Sequence, residues 1–378
     1  MEFRFTRYLY ETDEVKLSLM MSILNRNIDK ALFWAAELFY SGLKEELTSE
    51  LWLIFYDFYA TLNPQFENYL LTKIKTEIND IVILGSIIHN FNIRPHSVDV
   101  FILKCINEQF DISIIPRSNF INLLNSDDYL MISEYVLNSS SANLTHLLHV
   151  SIEYFNKDGL SLNSDKELTR YTTAIKVIGN KDQERSILLS RILYYFQLKY
   201  NAKVGKNLFM IIDPSDFIKY KTLNVDLTQQ GNSSKHYLLP KLPAYKLLPL
   251  VAKYNIDDED LLSLFHLKRD DNDIIVAYRD KWEYFASFTP VWIKRINKHN
   301  GTINHLKKSI EFANDDDIEL FYQEYGLEPD EQPLCIQEKT IKPINTTTTW
   351  VDFYKQHNSK GLTRLDEYVS ELSKVNYK

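Results

Sequence analysis

The chain has 378 residues, a formal net charge of −8, a sequence pI near 5.7 and a hydrophobic content of 45%. It contains only 9 glycines and 2 cysteines, which disfavours glycine-rich nucleotide loops, a disulfide framework and a cysteine-based zinc site. No stretch has the pattern of a signal peptide or of a membrane-spanning helix. We therefore expect an intracellular globular protein without a membrane association, long enough for two or three domains.

Residues 1–12 are predicted to be a short strand or an extended arm, and the rest of residues 1–205 to form one helix after another. Asn27 is a candidate N-cap, and Gly42 follows where that helix would end. Asn63 and Pro64 combine a cap with a proline at the first helical position. Further helices are predicted near 79–92, 118–125, 127–138, 141–156, 165–179 and 181–200. Helices of similar length joined by short loops are typical of HEAT or tetratricopeptide repeats. We predict a mainly α fold that begins with a solenoid-like stack of helical hairpins.

The helical pattern breaks beyond residue 201. Residues 206–240 are predicted to be an irregular connector, because a polar, glycine-containing stretch leads there into a group of prolines. A smaller helical or α+β domain is expected over 241–345. Residues 346–378 are predicted to be a terminal helix and tail.

No stretch has the spacing of a known catalytic or cofactor site. The glycine patterns G-x-x-x-x-G-K-[ST], G-x-G-x-x-G and G-x-S-x-G are absent from the sequence. His146 and His149 can share one face of a helix, but no acidic residue accompanies them in an H-E-x-x-H pattern. We expect these histidines to pack against their helix, partly buried. The sequence thus predicts no enzyme activity, no cofactor and no metal site.

Residues 281–310 combine positive charge with aromatic rings. They contain six basic residues against one acidic residue, Glu283. Cations that follow phosphates and rings that stack on bases are what single-stranded nucleic acid requires. The candidate nucleic-acid-binding residues are Trp282, Trp292, Lys294, Arg295, Lys298, Lys307 and Lys308. The alternative is that the rings form the core of the smaller domain. The nine acidic residues of 311–332 can also neutralise the basic ones.

A second candidate is a docking motif that runs from Tyr245 to Val251. It matches the Y-x-x-x-x-L-Φ pattern by which translation-initiation scaffolds hold the cap-binding subunit, with a helix docked in a groove. The partner-binding residues would be Tyr245, Leu250 and Val251. Pro249 inside this helix would cost about 3 kcal/mol. The alternative is therefore a chance match whose residues belong to the core.

Four stretches carry a resemblance to a known family: TRYLYETDEVK at 6–16, ALFWAAELFYSG at 31–42, KWEYFASFTPVW at 281–292 and YGLEPDEQ at 325–332. Together they resemble a protein family of giant nucleocytoplasmic DNA viruses of the mimivirus type. The resemblance spans most of the chain and carries over no catalytic residues. It implies a viral factory in the host cytoplasm and a role in viral gene expression or assembly.

The most specific expectation is a non-catalytic viral scaffold of translation initiation that joins a cap-binding subunit, a helicase and RNA. The first 200 residues are loosely similar to the middle domain of such scaffolds, which presents helical edges to a helicase. One alternative is a nucleic-acid-binding factor in viral late transcription. Another is a virion or assembly protein. The expected partners are other viral proteins and RNA, with no membrane.

Overall fold

The described part of the chain is mainly helical, as predicted. The computed structural model describes residues 3–74, 78–108, 119–178, 181–200, 209–221, 256, 262–265, 281–325, 348–358 and 360–375. Within these residues the sheet structure is one antiparallel pair, β1 (Thr302–Asn304) and β2 (Ser309–Glu311). None of the helices described there is long and apolar enough to cross a membrane. The mainly α fold is confirmed, whereas the solenoid-like stacking of hairpins stays a prediction.

The helices fall close to their predicted positions. Those of the first 200 residues are α1 Thr12–Leu24, α2 Ile28–Ser41, α3 Lys44–Ile54, α4 Pro64–Lys73, α5 Ile81–Ile93, α6 Asp99–Asn107, α7 Phe120–Ser126, α8 Tyr129–Leu137, α9 Ser141–Lys157, α10 Ser164–Ile178 and α11 Lys181–Lys199. The later ones are α12 Pro214–Ile218, α13 Trp282–Ala286, α14 Pro290–Lys298, α15 Asp315–Tyr325, α16 Trp350–His357 and α17 Leu365–Leu372. One wider π turn, Phe55–Tyr59, continues α3.

The residues that flank the helices explain where several of them begin and end. The Asn27 side chain accepts a hydrogen bond from the Lys30 backbone N–H at 3.1 Å, so it caps α2 as predicted. Gly42 ends the same helix in the left-handed region, at φ +86°. Pro64 is the first residue of α4, also as predicted. The amide of Asn63 donates to two backbone carbonyls instead of capping that helix.

Contacts within the chain divide it into two units, each assembled from separate segments. Unit 1 comprises Met1–Leu47, Asp80–Ile88 and Ile212–Thr346, and unit 2 comprises Thr48–Asn79, His89–Ile211 and Thr347–Lys378. The boundaries expected at 205, 240 and 345 assume consecutive domains and stay a prediction. Most of the expected connector, 206–240, lies outside the described residues.

Unit 1 joins two parts of the chain that are far apart in the sequence. Its N-terminal arm (residues 3–11) packs against its C-terminal module (residues 281–325). The buried cluster between them consists of Phe5, Trp282, Ala286, Trp292, Ile296 and Phe321. Arg7 fixes the arm from the other side, because its guanidinium pairs with buried Glu37 at 2.8 Å and donates to the carbonyls of Tyr220 and Lys221.

Unit 2 buries a group of four charged side chains from three helices, which we call the ion-pair network. Glu67 of α4 accepts from Arg170 of α10 at 2.8 Å and from Arg191 of α11 at 2.7 Å. Glu167 of α10 accepts from the same Arg191 at 3.2 Å. Tyr56 also donates to Glu67, and burial together with that carboxylate raises the pKa of the phenol. Two positive and two negative charges balance inside this network, which ties α4, α10 and α11 together.

The end of the chain packs within unit 2 through a buried aspartate. The carboxylate of Asp99, at the start of α6, accepts from the backbone N–H groups of Leu362 and Thr363 and from the Thr363 hydroxyl. Two residues further along α6, the ring of Phe101 lies 5.6 Å from that of Phe353 in α16. Helix α17 lies within residues 346–378, where a terminal helix was predicted.

Candidate nucleic-acid interface

The C-terminal module contains two helices separated by a short turn. Residues 287–289 join α13 to α14, and Pro290 occupies the first turn of α14. Thr289 lies at the cap position, yet its hydroxyl donates to the Phe5 carbonyl at 2.7 Å. The indole N–H of Trp292 donates to the Thr6 carbonyl at 2.8 Å. These two bonds hold α14 on the N-terminal arm.

Helix α14 has one buried face and one exposed face. Trp292 and Ile296, four residues apart, are fully buried. The opposite side projects into solvent, and its exposed residues are Pro290, Ile293, Lys294, Asn297 and Lys298. Their spacing of three and four residues places them on one stripe of the helix. No acidic residue occurs anywhere in residues 290–310, so the charged side chains on this stripe are all positive.

The two tryptophans of this segment lie in the core. Trp282 is 1% exposed and Trp292 is 0% exposed. Their ring centroids lie 5.3 Å apart in an edge-to-face arrangement, and the Trp282 ring stacks on that of Phe321. Their burial corrects the expectation that these two rings stack on bases, because a base cannot reach them. As the alternative expected, the two rings are core residues, and they share their buried cluster with Phe5 of the N-terminal arm; the smaller domain over 241–345 stays a prediction.

Arg295 contacts other residues of the protein rather than projecting freely into solvent. Its guanidinium lies 4.4 Å from the centre of the Trp292 ring and 5.1 Å from that of Tyr325. It donates to the Arg7 carbonyl at 3.0 Å. Arg295 therefore helps to hold the module on the arm, and its charge is partly covered.

The four lysines of the candidate set are exposed but differ in their contacts. Lys298 pairs with Glu324 at 2.7 Å, and this hydrogen-bonded carboxylate raises the pKa of the ammonium. Lys307 pairs with a carboxylate four residues further along the chain, also at the surface. Lys294 and Lys308 make no ion pair or side-chain hydrogen bond with any described residue. Among the residues that the structure describes, two of the four cations are therefore without an ionic partner, and two are in surface pairs.

The strands β1 and β2 form a hairpin whose turn, residues 305–308, we call the hairpin tip. The Asn304 side chain accepts from the backbone N–H groups of Leu306 and Lys307 at 3.1 and 3.0 Å, which fixes the turn. The ring of His305 packs on that of Phe288 beside α13. Leu306 is 99% exposed, and Lys308 adopts a left-handed backbone at φ 51°.

Two other sequence expectations concern residues outside this module. Tyr245, Leu250 and Val251 lie outside the described residues, so the docking motif stays a prediction. His146 and His149 are both exposed on α9, which corrects the expectation that they are partly buried. Within the described residues, His, Cys, Asp and Glu nowhere form a group of three or more that could hold a metal ion.

Sequence reasoning missed the hairpin tip as a functional element. Lys307 and Lys308 were predicted to contact nucleic acid, but no role was assigned to Leu306, which directly precedes them. A signal was present, because the turn-forming Asn304 follows Ile303 and precedes the alternating residues Ile310, Glu311 and Phe312. The exposure of the leucine itself follows from the length of the turn and is not visible in the pattern.

No protein-family model, no curated protein and no solved structure matches the chain.

Proposed function

We propose that the protein acts by binding rather than by catalysis, and that it binds nucleic acid through the exposed face of α14 and the hairpin tip. One observation carries this proposal. Residues 290–310 contain five basic residues and no acidic one, and four of those five are lysines exposed on these two elements. Cations grouped in this way are the electrostatic footprint of a nucleic-acid-binding surface.

The rigidity of the surface supports this role. Thr289, Trp292 and Arg295 each donate a hydrogen bond to a backbone carbonyl of the N-terminal arm. The packing of the buried rings beneath α14 also fixes the orientation of this helix. A surface that is already ordered loses little conformational entropy when a ligand binds.

The surface ion pairs of Lys298 and Lys307 weaken the proposed binding of nucleic acid only slightly. In the pair of Lys298 with Glu324, both side chains are about half exposed, at 55% and 42%. The pair of Lys307 with Glu311 is similarly exposed, at 71% and 47%. Surface pairs of this kind contribute little because water and salt screen them, so a phosphate can replace either carboxylate. Because binding would depend on contacts between these lysines and phosphates, which release counterions, we expect the affinity to fall steeply with salt.

The wider role that we propose is a scaffold that brings nucleic acid to partner proteins. The resemblance to viral proteins would place this scaffold in a viral factory, in translation initiation or in late transcription. The motif at Tyr245–Val251 would then supply one contact with a protein partner. A pull-down from infected cells distinguishes these settings, because it recovers translation factors in one case and polymerase subunits in the other.

The binding proposal is tested by reversing the two unpaired lysines. The paired change Lys294→Glu and Lys308→Glu should weaken binding to fluorescein-labelled nucleic acid by about tenfold or more at low salt, because each reversal removes a phosphate contact and adds repulsion. Fluorescence anisotropy with the full chain measures the affinity. The matched control is Lys157→Glu with Lys166→Glu, which reverses two exposed lysines on α9 and α10 of unit 2.

The control pair should leave the affinity close to that of the unchanged protein. An equal loss in both pairs would mean that net charge alone governs binding, and it would contradict the proposed surface. Absence of binding to single-stranded RNA, single-stranded DNA and duplex DNA alike would contradict the whole proposal.

A further inference from the structure

We infer that the nucleic acid bound by this surface is duplex DNA, with α14 in the major groove and the hairpin tip at an adjoining minor groove. This inference rests on the proposed function and assigns the class of ligand to the same site. Three features of the module carry it: the kind of apolar residue that it exposes, the order of its helices, and the build of the hairpin tip.

The module exposes aliphatic side chains where a single-strand binder exposes rings. Its most exposed apolar residues are Leu306 at 99%, Leu320 at 51% and Ile293 at 38%. The rings of Trp282 and Trp292 are buried, as described above. Single strands are held largely by bases stacked on exposed flat rings. The described Phe, Tyr and Trp rings of the module are buried or half-buried, and the exposed ring among its described residues is the small imidazole of His305. The module thus offers little ring surface for stacking, and the shape of a duplex suits it better.

The helices of the module follow the order of a groove-binding motif. A short helix, a turn of three residues and a second helix succeed one another as α13, 287–289 and α14. In proteins with this order, the second helix enters the major groove of DNA. Helix α14 is nine residues long, so it extends about 14 Å. The diameter of an α-helix with its side chains, about 10–12 Å, matches the ~12 Å width of the major groove.

The exposed stripe of α14 carries side chains that suit bases as well as phosphates. The amide of Asn297 can donate to and accept from an adenine edge. Lys294 and Lys298, on either side of it along the helix, can reach guanine acceptors or the flanking phosphates. An acidic side chain on this stripe would repel the phosphates, and none is present.

The hairpin tip presents an aliphatic wedge beside cations. Leu306 projects fully into solvent, and Lys307 and Lys308 follow it directly. The two hydrogen bonds to Asn304 hold the turn in this shape without any ligand. Aliphatic wedges that enter between base pairs from the minor groove are a recurrent device of DNA-binding proteins. Lysines next to such a wedge are attracted by the negative potential of a narrow minor groove.

Duplex RNA is the informative comparison. Its major groove is deep and narrow, so a helix cannot enter it, and its minor groove is wide and shallow. Binding through α14 and a wedge should therefore discriminate between the two duplexes, although both carry similar charge. A preference for duplex DNA favours the transcription setting over translation initiation.

The experiment compares four ligands of one sequence and about 20 base pairs or nucleotides: duplex DNA, duplex RNA, single-stranded DNA and single-stranded RNA. Anisotropy titrations with the full chain over a salt series give each affinity. We expect duplex DNA to bind at least about tenfold more tightly than each of the others at the same salt. The paired change Lys294→Ala and Lys298→Ala should lower the slope of log K against log salt by about two.

Leu306→Ala tests the wedge, and Leu320→Ala is its matched control, because Leu320 is an exposed leucine on α15 of the same module. The first change should weaken duplex DNA binding several-fold and leave single-stranded binding unchanged, and the second should alter neither. Both sites are exposed, and an unchanged melting temperature shows that the variants are folded.

The outcomes separate the two levels of the proposal. Tighter binding of single-stranded RNA or of duplex RNA overturns the assignment of duplex DNA and leaves the nucleic-acid surface standing. Equal losses for Leu306→Ala and Leu320→Ala, or no loss for either, overturn the role of the hairpin tip. Failure of all four ligands to bind overturns the inference together with the proposed function.

Discussion

Single side chains of unit 2 carry charge into the interior, and their partners determine what a substitution there would cost. The side chain of Arg191 is 6% exposed and lies between Glu67 and Glu167. Burial alone would lower the pKa of a guanidinium, whereas these carboxylates favour its charged form. Removing the arginine would leave two buried carboxylates with one remaining arginine to neutralise them.

We therefore expect Arg191→Leu to lower the free energy of unfolding by about 3–5 kcal/mol, as is usual when one partner of a buried ion pair is lost. Urea denaturation of the full chain measures this change. Lys176→Leu is the control, since Lys176 is exposed on α10, and it should change stability by less than about 0.5 kcal/mol. A similar small effect at Arg191 would show that the network contributes little.

A buried histidine makes stability depend on pH. Burial lowers the pKa of His357 from 6.5 to about 4, so the folded state keeps the ring neutral while the unfolded state takes up a proton below pH 6.5. Stability is thus fully present above about pH 6.5 and is lost as the pH falls towards 4. Between about pH 7 and pH 5, we expect a loss of about 2 kcal/mol from this residue.

His357→Phe should remove that part of the pH dependence, because phenylalanine has a similar shape and does not titrate. Urea denaturation at both pH values provides the measurement. His149→Phe, at an exposed position of α9, should leave the pH dependence as it is. A pH dependence that survives His357→Phe would assign the effect to other groups.

At the scale of the secondary-structure elements, the glycine that ends α2 lies close to the proline that begins α14. A Cβ atom on Gly42 would lie 2.8 Å from the Cβ of Pro290, and the residue has a left-handed backbone. Two separate costs therefore oppose any side chain here: the strained backbone and the contact with the proline. This close approach fixes where α14 begins relative to α2.

A comparison of two glycines can separate the two costs. Gly42→Ala should destabilise the protein by about 2–4 kcal/mol, from the backbone conformation together with overpacking. Gly159→Ala should cost only about 1 kcal/mol, because Gly159 has φ +101° with no neighbouring atom within 4 Å of its Cβ position. Thermal unfolding of both variants measures the difference, and equal losses would rule out a contribution from Pro290.

At the scale of the whole molecule, the C-terminal module is completed by contacts between residues that lie far apart in the sequence. Phe5 is 1% exposed and belongs to the same buried cluster as Trp292. Phe5→Ala should lower the free energy of unfolding by about 3–5 kcal/mol. We expect it to increase local opening of α14 in particular. Hydrogen exchange followed by mass spectrometry should show that the substitution accelerates exchange in residues 290–298, relative to the unchanged protein, more than it does in residues 141–157 of unit 2. Uniformly faster exchange along the chain would contradict this local effect.

The sequence allowed the helices to be predicted but not the partnership between distant segments. Local signals such as Asn27 and Gly42 act within one turn of helix, and both were confirmed by the structure. The position of Phe5 within the core of residues 281–325 depends on contacts across about three quarters of the chain. No local pattern carries that information, so the sequence predicted only a short strand or an extended arm for residues 1–12.

The same limit explains the outcome for the candidate site. The basic residues of 281–310 were identified from charge alone, and the four lysines among them are exposed. The rings were assigned to bases because composition does not distinguish a stacking surface from a core. Only the contacts of Trp282 with Phe321 and of Trp292 with the arm decide between the two.

The pairing of the arm with the module also has a consequence for biosynthesis. The ribosome makes Phe5 nearly 280 residues before Trp282, so at about 5–20 residues per second the arm waits on the order of 15–55 s for its partner. During that time its aromatic residues need temporary cover, which a chaperone near the exit tunnel can provide. A bulky N-terminal fusion would sit beside the segment that the module still needs.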